Sequence, residues 1–251
     1  MKRYTIIAVA ALSVLALGAT DASAFLKVEG RYWLVGLGAD MNVSGGGSRG
    51  SYLDLAEDLG MDDQENFFEG RVEVGLLKNH KLRYAYMPMS WDGGKTLNAD
   101  ITYNGVTYLS NTAVTSELDV VYHRLGYEYD LVDTLGNRLG VIFEVKYFDI
   151  DTAVSAATNG RSESYMLILP AVGVTAQVGL PLLAKLEGEI TAFTMGSYGY
   201  AVDAEAGVNV SPLPFITIAG GYRYLIVSSN QGDDEFDIAF QGPFVALRAG
   251  F

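Results

Sequence analysis

The last strand of the chain constrains the fold more than any other stretch. From Phe244 to the end, the residues alternate between two faces, and one face carries Val245, Leu247, Ala249 and Phe251. A repeat of two is typical of a β-strand with one apolar face. Because chain ends are usually solvated, an apolar strand in this place predicts that it pairs with another strand. A closed β-barrel meets that requirement, since its last strand pairs with its first and removes both sheet edges.

The first residues predict a secretory signal peptide. Met1-Lys2-Arg3 is basic, residues 6–19 are largely apolar, and Ala22-Ser23-Ala24 offers small residues for cleavage. The apolar run is shorter than the roughly 20 residues of a spanning helix. We therefore expect a signal peptide over residues 1–24 and one domain over residues 25–251. No later stretch is apolar for long enough to form a spanning helix, so a membrane protein made from this domain has to be a barrel.

Composition excludes several kinds of site and partner. The chain has no cysteine, so it can form neither a disulfide framework nor a thiolate metal site. Its formal charge of −13 at pH 7 would repel nucleic acid phosphates, so nucleic acid is not an expected partner. The 29 glycines and 16 tyrosines suit a sheet with tight turns and aromatic girdles.

The alternating segments predict an all-β fold, a transmembrane up-and-down antiparallel β-barrel of about ten strands. The connections after the first, third and fifth strands are long and those after the second, fourth, sixth and eighth are short, which is typical of outer-membrane barrels. Eight strands would leave out a clean alternation, and twelve would need residues 100–108 to cross the membrane. Asn104-Gly105 makes that stretch a hairpin too short for a crossing of about nine to eleven residues, which predicts a rim extension. In the first long loop, Leu53, Ala56 and Leu59 recur at helical spacing before Gly60.

Charged residues at alternate positions predict what fills the barrel. The inward face is expected to carry Glu29, Arg31, Glu69, Arg71, Glu73, Arg83, Glu117, Asp119, His123, Glu144, Lys146, Lys185, Glu187, Glu189, Asp203, Glu205, Arg223 and Arg248. A lumen of this width brings charges close together, so ion pairs and trapped water are expected. Two interpretations stay open at this point: a filled, salt-bridged interior with a structural or interaction role, and a narrow porin-like channel for ions or small solutes.

The sequence offers no convincing catalytic constellation, and no enzymatic activity is predicted. His80 falls in a predicted turn. His123 falls mid-strand near Glu117 and Asp119, where the apolar parity changes and predicts a β-bulge. A histidine among carboxylates is typical of a charge network, and a rim enzyme based on His123 is the alternative. The motifs Gly-x-Ser-x-Gly and His-Glu-x-x-His are absent.

Acidic residues in the first and last loops are candidate metal ligands. The set comprises Asp54, Glu57, Asp58, Asp62, Asp63, Asp233 and Asp234. Closure of the barrel would bring the two loops side by side, and hard oxygen ligands on flexible loops suit Ca²⁺ or Mg²⁺. A solvated acidic surface is the alternative interpretation. No other cofactor is expected.

Two patterns resemble known bacterial proteins. The closing strand, with Val245, Leu247 and a terminal Phe251, resembles the C-terminal assembly signature of bacterial outer-membrane β-barrels. The stretches 53–61, 99–108 and 116–119 resemble a family of uncharacterised bacterial outer-membrane β-barrels with an Asp-Leu-x-x-Asp-Leu-Gly loop, although Lys78-Asn79-His80 replaces a proline-rich turn that many of them carry. The resemblance implies a place in the outer membrane, with outer-membrane lipid and the barrel-assembly machinery as partners. It implies no activity.

Overall fold

The computed structural model of this chain contains one closed antiparallel β-barrel. It describes residues 25–45, 47, 49–134, 136–157, 159–231 and 234–250. The predicted signal peptide, Asp233 and Phe251 lie outside these residues. Within the part of the chain that is described, no helix is long and apolar enough to cross a bilayer.

The described residues form thirteen strands. In chain order they are β1 (Leu26–Asn42), β2 (Tyr52–Asp54), β3 (Gln64–Leu77), β4 (His80–Thr96), β5 (Ile101–Tyr103), β6 (Val106–Tyr108), β7 (Ala113–Thr134), β8 (Asn137–Ala156), β9 (Gly160–Gly179), β10 (Ala184–Thr194), β11 (Gly199–Leu213), β12 (Ile216–Gln231) and β13 (Asp234–Gly250). A 3₁₀ turn over Gly196–Tyr198 joins β10 to β11.

Ten of these strands form the barrel wall, which confirms the predicted fold class. Each pairs with its neighbours in chain order, and β13 pairs with β1 from Lys27↔Gly250 to Asn42↔Glu235. The short strand β2 adds to β1 beyond the end of β3, and β5 and β6 form a separate two-stranded sheet. Closure leaves no free edge along the part of the wall where all ten strands pair, as a structure surrounded by lipid requires.

The two ends of the barrel differ in the length of their connections. At the turn end, where β1 begins and β13 finishes, the links are residues 78–79, 135–136, 180–183 and 214–215. At the opposite, loop end, residues 43–63 and 97–112 form long connections that include β2 and the β5–β6 hairpin. The fifth connection is short, at residues 157–159, so the prediction of a long loop there is wrong. The strands β8 and β9 instead continue far past the membrane as one tall hairpin.

A belt of apolar side chains surrounds the outer face of the barrel. It includes the exposed residues Phe68, Leu125, Phe143, Ile168, Val172, Leu186, Ile190, Val208, Ile218, Val245 and Leu247. Aromatic rings border it toward the turn end, where His80 contacts Tyr127 and Tyr129. Rings also border it toward the loop end, where His123 contacts Tyr84, Tyr86 and Tyr147. Such an apolar band between aromatic girdles is the lipid-facing surface of a transmembrane barrel.

The wall continues beyond the loop-end girdle. Outward positions there become polar, as shown by Ser90, Glu117, Asp119, Asp149, Asp151 and Asp237. The longest strand, β7, has 22 residues, whereas a membrane crossing uses about nine to eleven. Roughly half of each long strand therefore stands in water at the loop end.

The prediction of a bulge near His123 and Arg124 is wrong. The register of β7 against β8 runs without a break from Val114↔Ala156 to Asp130↔Gly140, and the shift lies after Asp130. Leu118, Val120 and Tyr122 point inward, whereas Leu125, Tyr127 and Tyr129 point outward. The apolar residues change face because the outside changes from water to lipid while the strand keeps its parity.

Two segments of the loop end fold into the mouth of the barrel and form a plug, which we define as residues 52–61 and 97–108. In the first, the amides of Asp58 and Gly60 bond the carbonyls four residues earlier, so the predicted helical spacing gives two isolated turns. In the second, Asn104 and Gly105 have φ of 46° and 72°, as a two-residue hairpin turn requires. This hairpin lies against the inner wall and is not a rim extension, because Tyr103 and Tyr108 are buried.

Candidate functional site: the layered interior

The interior has two layers, an ionic one toward the turn end and an apolar one toward the loop end. The ionic layer contains ten carboxylates: Glu29, Glu69, Glu73, Glu128, Asp130, Glu144, Glu187, Glu189, Asp203 and Glu205. It also contains ten cations: Lys27, Arg31, Arg71, Lys81, Arg83, Arg124, Arg138, Lys146, Arg223 and Arg248. The layer is therefore neutral, and the net charge of −13 resides elsewhere on the chain.

Glu205 on β11 is a hub of this layer. Its two oxygens accept four hydrogen bonds from the guanidinium groups of Arg31 on β1 and Arg71 on β3, at 2.8–3.0 Å. Both arginines also pair with Glu69, at 3.6 Å and 2.8 Å respectively. Two parallel N–H···O bonds from one guanidinium to one carboxylate hold a fixed orientation, so this hub joins three strands rigidly.

Asp203 is a second hub, two residues earlier on β11. It accepts bonds from Arg223 at 2.9 Å and 2.8 Å and from Lys146 at 2.8 Å. Lys146 also donates to the hydroxyl of Tyr122 at 3.0 Å. The side chains of Arg223 and Lys146 are completely buried, so both cations are held by these partners within the barrel.

Further pairs cross the lumen between distant strands. Arg83 on β4 binds Glu189 on β10 at 2.5 Å, with three wall strands between them on one side and five on the other, and Arg124 on β7 reaches the same carboxylate at 2.9 Å. Toward the turn end, Arg248 on β13 bridges Glu187, at 2.7 Å, and Glu29. These links tie opposite walls of the barrel together.

Aromatic rings separate the ionic layer from the apolar one. The guanidinium of Arg31 lies 3.8 Å from the ring centre of Phe244, and that of Arg223 lies 4.9 Å from Trp33. A cation over an aromatic face is stabilised by the ring quadrupole, and the ring's other face can pack against hydrocarbon. Trp33 also donates from Nε1 to the Gly242 carbonyl at 3.0 Å, which fixes its orientation.

The apolar layer fills the interior above these rings. Its wall side chains include Val35, Leu37, Met87, Met89, Trp91, Leu118, Val120, Phe148, Ile150, Leu225, Val227, Ile238 and Phe240. The plug adds Leu53, Leu55, Leu59, Met61, Leu97, Ile101, Tyr103 and Tyr108. Wall and plug thus share one hydrophobic core, which holds the loops in the mouth by burial of apolar surface.

Polar contacts fix the plug to the wall. The hydroxyl of Tyr103 lies 2.6 Å from Oγ1 of Thr152, and Tyr108 donates to the Val154 carbonyl at 3.0 Å. Burial raises the pKa of Tyr103 to about 12, so its hydroxyl keeps its proton above the pH near 10 at which a free tyrosine loses it. On the other side, Ser116 donates to the Leu59 carbonyl at 3.2 Å.

Fifteen of the eighteen residues predicted to line the lumen have inward positions, including Lys185 near the turn end. The prediction is wrong for Glu117, Asp119 and His123, which lie on the outer face. Glu117 and Asp119 stand in water beyond the girdle, and His123 belongs to the girdle itself, where Nδ1 lies 2.8 Å from the hydroxyl of Tyr84. All three errors have one cause, the predicted bulge, which is absent from this part of β7.

Six members of the ionic layer were not predicted. They are Lys27, Lys81, Arg124, Glu128, Asp130 and Arg138. Continuing the inward parity of Tyr122 along β7 leads directly to Arg124, Glu128 and Asp130, so an uninterrupted alternation was the signal that could have found them.

The acidic residues of the loops do not form a metal cluster in the described part of the chain. No group of three or more His, Cys, Asp or Glu there is placed to hold an ion. Asp54 accepts from the amide of Glu57 and Asp58 from that of Asp54, so both stabilise the turns of the plug, and Asp234 accepts from the amide of Ser44. Asp62 and Asp63 follow these turns, and Asp233 lies outside the described residues. A Ca²⁺ or Mg²⁺ site stays a prediction.

The predicted assembly signal lies on the closing strand. Val245 and Leu247 face lipid with 59% and 57% of their surface exposed, and they pair opposite Tyr32 and Gly30 of β1. Phe251 lies outside the described residues. Whether these residues direct assembly stays a prediction.

No family model and no curated protein sequence matches this chain. Among solved structures, it is similar to the outer membrane protease OmpT from Escherichia coli, with a TM-score of 0.64 and 9% identity over 94% of this chain and 99% of OmpT. It also matches the translocator domain of the autotransporter NalP from Neisseria meningitidis, with a TM-score of 0.42 and 12% identity over 98% of this chain and 94% of that one. Ail of Yersinia pestis matches with a TM-score of 0.36 and 9% identity over 89% of this chain and 99% of Ail. The chain therefore shares with OmpT the fold of an outer-membrane β-barrel.

Proposed function

We propose that this protein is an integral β-barrel of the bacterial outer membrane that is closed to ions, with a structural or interaction role carried by its loop end. The observation that supports this most is the neutral ionic layer, in which ten carboxylates and ten cations join opposite walls. The plug adds a second closure at the mouth. In this proposal the turn end faces the periplasm, and outer-membrane lipid and the assembly machinery are the partners.

An ion path would need these pairs to separate. Removing one member of a buried ion pair costs about 3–5 kcal/mol because the other charge loses its partner. Many such pairs share partners here, so spontaneous opening of the whole layer would be rare. The narrow porin-like channel for ions or small solutes is therefore the weaker alternative.

OmpT is named as a protease. The positions of the histidines in this chain indicate whether a histidine could take part in similar catalysis here. The sequence has two, and both lie on the outer face, His80 in the turn-end girdle and His123 in the loop-end girdle. Neither imidazole reaches the interior or the mouth, so the geometry favours a role without histidine chemistry.

Conductance in planar bilayers tests the proposal. The refolded chain should give no stable current steps, in a bilayer where a known porin does. A variant with Arg31, Arg71 and Glu205 all changed to Ala should conduct, because it removes the three long side chains that join β1, β3 and β11 across this part of the lumen. Reproducible ohmic steps from the unchanged protein would contradict the closed interior and favour the channel.

A further inference from the structure

Two neighbouring turns at the turn end of the barrel are entirely apolar. Residues 180–183, between β9 and β10, read Leu-Pro-Leu-Leu, and residues 212–215, which lead from β11 into β12, read Pro-Leu-Pro-Phe. The amide of Ser211 donates to the Leu183 carbonyl at 3.3 Å, so the two turns are in contact. We refer to residues 180–183 and 212–215 together as the apolar turns.

The side chains of the apolar turns are not covered by the rest of the barrel. Four of them keep more than half of their surface exposed, namely Leu182 with 92%, Leu183 with 71%, Leu213 with 60% and Phe215 with 64%. Adjacent exposed apolar side chains of this size mark a surface that contacts lipid or another protein.

The backbone of the first turn is strained. Leu182 and Leu183 have φ of 63° and 62°, as at the two central residues of a type I′ turn. Glycine and asparagine adopt this left-handed conformation readily, whereas leucine does not. The other non-glycine residues with positive φ in the described part of the chain are both asparagines, Asn104 and Asn111. Asn-Gly would form the turn more easily, so the leucine side chains have a role beyond reversal of the chain.

The length of β10 places the first turn at the membrane surface. With 11 residues β10 is the shortest of the ten wall strands, and a membrane crossing uses about nine to eleven. Its outward residues, from Ala184 to Ala192, are all uncharged. The strand therefore uses nearly its whole length to cross the hydrocarbon, and residues 180–183 begin where the crossing ends.

The lipid-facing belt continues onto the apolar turns without a charged residue. Val178 and Leu186, next to the first turn, are 49% and 48% exposed, and Ile218, next to the second, is 54% exposed. No charged residue occurs in the segments 178–184 and 210–218. Because the surface is continuous with the belt, the lipid that covers the belt can cover the turns as well.

The turns on the other side of the barrel are polar. The β3–β4 turn contains Lys78, and the β7–β8 turn is flanked by Asp133. Charged groups of this kind hold a turn in water, because their transfer to hydrocarbon is costly. The turn end therefore has one side suited to lipid, carried by β9 to β12, and one side suited to water.

We propose that the apolar turns insert into the inner leaflet of the outer membrane and hold this side of the barrel deeper in the bilayer than the side of the polar turns. Insertion transfers the exposed side chains from water to hydrocarbon, a gain that offsets the left-handed backbone of Leu182 and Leu183. The inference rests on the proposed function only for the periplasmic direction of the turn end. It does not depend on whether the barrel conducts, so a conducting barrel with inserted turns, or a closed one without them, would be recognised as such.

Spin labels at single positions test the insertion. Because the chain has no cysteine, one substituted cysteine can carry a nitroxide at a known place. The mature chain is refolded into phosphatidylcholine vesicles, and power saturation of the electron paramagnetic resonance signal measures two collision rates. One is with oxygen, which concentrates in hydrocarbon, and the other is with a water-soluble nickel chelate present on both sides of the bilayer. The labelled variants are Leu182→Cys, Leu213→Cys and Phe215→Cys, with Ile218→Cys as the belt reference and Lys78→Cys and Thr134→Cys as the polar-turn references.

The ratio of oxygen to nickel collisions should be several-fold higher in the apolar turns than in the polar ones, and close to the value at Ile218. Values equal to those at Lys78 and Thr134 would overturn the proposal, since the turns would then stand in water. Shielding from both reagents that grows with the protein-to-lipid ratio would overturn it in favour of contact between copies of the chain. Heat-modifiable gel migration verifies folding, and if Leu182→Cys fails to fold, the labels at positions 213 and 215 decide the outcome.

Matched variants separate the role of the leucines from that of the label. Leu182→Asn with Leu183→Gly suits the positive φ of the turn but removes both apolar side chains. The label at Phe215→Cys should then move toward water, with a several-fold lower ratio. The same two changes at Leu76 and Leu77, which are exposed beside the β3–β4 turn, should leave that label unchanged. An equal effect of both pairs of changes, or no effect of the first, would reject the apolar turns as an anchor.

Discussion

Replacing Glu205 by Gln should destabilise the barrel strongly, and the structure allows the cost to be worked out. The change keeps the size of the side chain but removes the charge that accepts four hydrogen bonds from Arg31 and Arg71. Losing one partner of a buried ion pair costs about 3–5 kcal/mol. Because both arginines keep Glu69, and Arg31 keeps Glu29 at 3.0 Å, the lower end of that range applies, about 3 kcal/mol or roughly a hundredfold in the unfolding equilibrium.

The measurement is urea unfolding in lysolipid micelles, followed by tryptophan fluorescence. The chain has two tryptophans, Trp33 and Trp91, and both are buried in the apolar layer, so their emission reports loss of the interior. Glu117→Gln is the matched control, since the same chemical change lies on the outer face in water and should leave the midpoint where it is. Wild-type stability for Glu205→Gln would refute the role of the hub. Equal loss for Glu117→Gln would refute the parity of β7.

Three further outcomes are expected. Free tyrosine loses its proton near pH 10 and Tyr103 near 12, so the stability of the plug should fall as the pH rises from 10 to 12. Hydrogen exchange of residues 97–108 should therefore become faster over this range in the wild type, and the increase should be smaller in Tyr103→Phe. If the acidic loops share a divalent cation, millimolar Ca²⁺ should slow their proteolysis, and the double variant Asp58→Asn, Asp233→Asn should abolish that protection. Identical digestion with Ca²⁺ and with chelator would show that the loops are a solvated acidic surface. Phe251→Ser should lower the fraction of assembled, heat-modifiable protein far more than Asp237→Asn on the same strand, and equal assembly would remove the C-terminal signal.

The alternation of the strands was sufficient to predict the barrel. Strands such as β13, with Val245 and Leu247 outward and Arg248 inward, carry a period that only a sheet with two different faces explains. Ten strands followed from counting these segments. The lengths of the strands could not be predicted in this way. Beyond the membrane the wall keeps the period of two but has apolar residues on its inner face, as in β8 between Phe148 and Val154.

Less of the site could be predicted, for two physical reasons. Alternation assigns a residue to a face but does not say which charges meet across a lumen; the contact of Glu205 with Arg31, 174 residues away, depends on the shear of the whole barrel. The plug has no repeat at all. Leu55 and Tyr103 are buried by tertiary packing alone.

The error over β7 points to a rule that this barrel illustrates. In the membrane, the outside is lipid, so outward residues such as Leu125 and Tyr127 are apolar and the inward Arg124 and Glu128 are charged. Beyond the girdle, the outside is water, so Glu117 and Asp119 face outward and the inward face becomes the apolar one. Each strand therefore stays half polar along its whole length, while its apolar residues move from one face to the other.

In the sequence, this exchange of faces looks like a β-bulge, because an inserted residue gives the same change of parity. The structure distinguishes the two causes, because the register of β7 against β8 is unbroken through this region. A bulge within the membrane would keep the charges on the lumen side before and after the change, whereas an exchange of faces moves them outward. When a parity change coincides with a band of tyrosine and histidine, as at Tyr86, His123 and Tyr147, it marks the membrane surface.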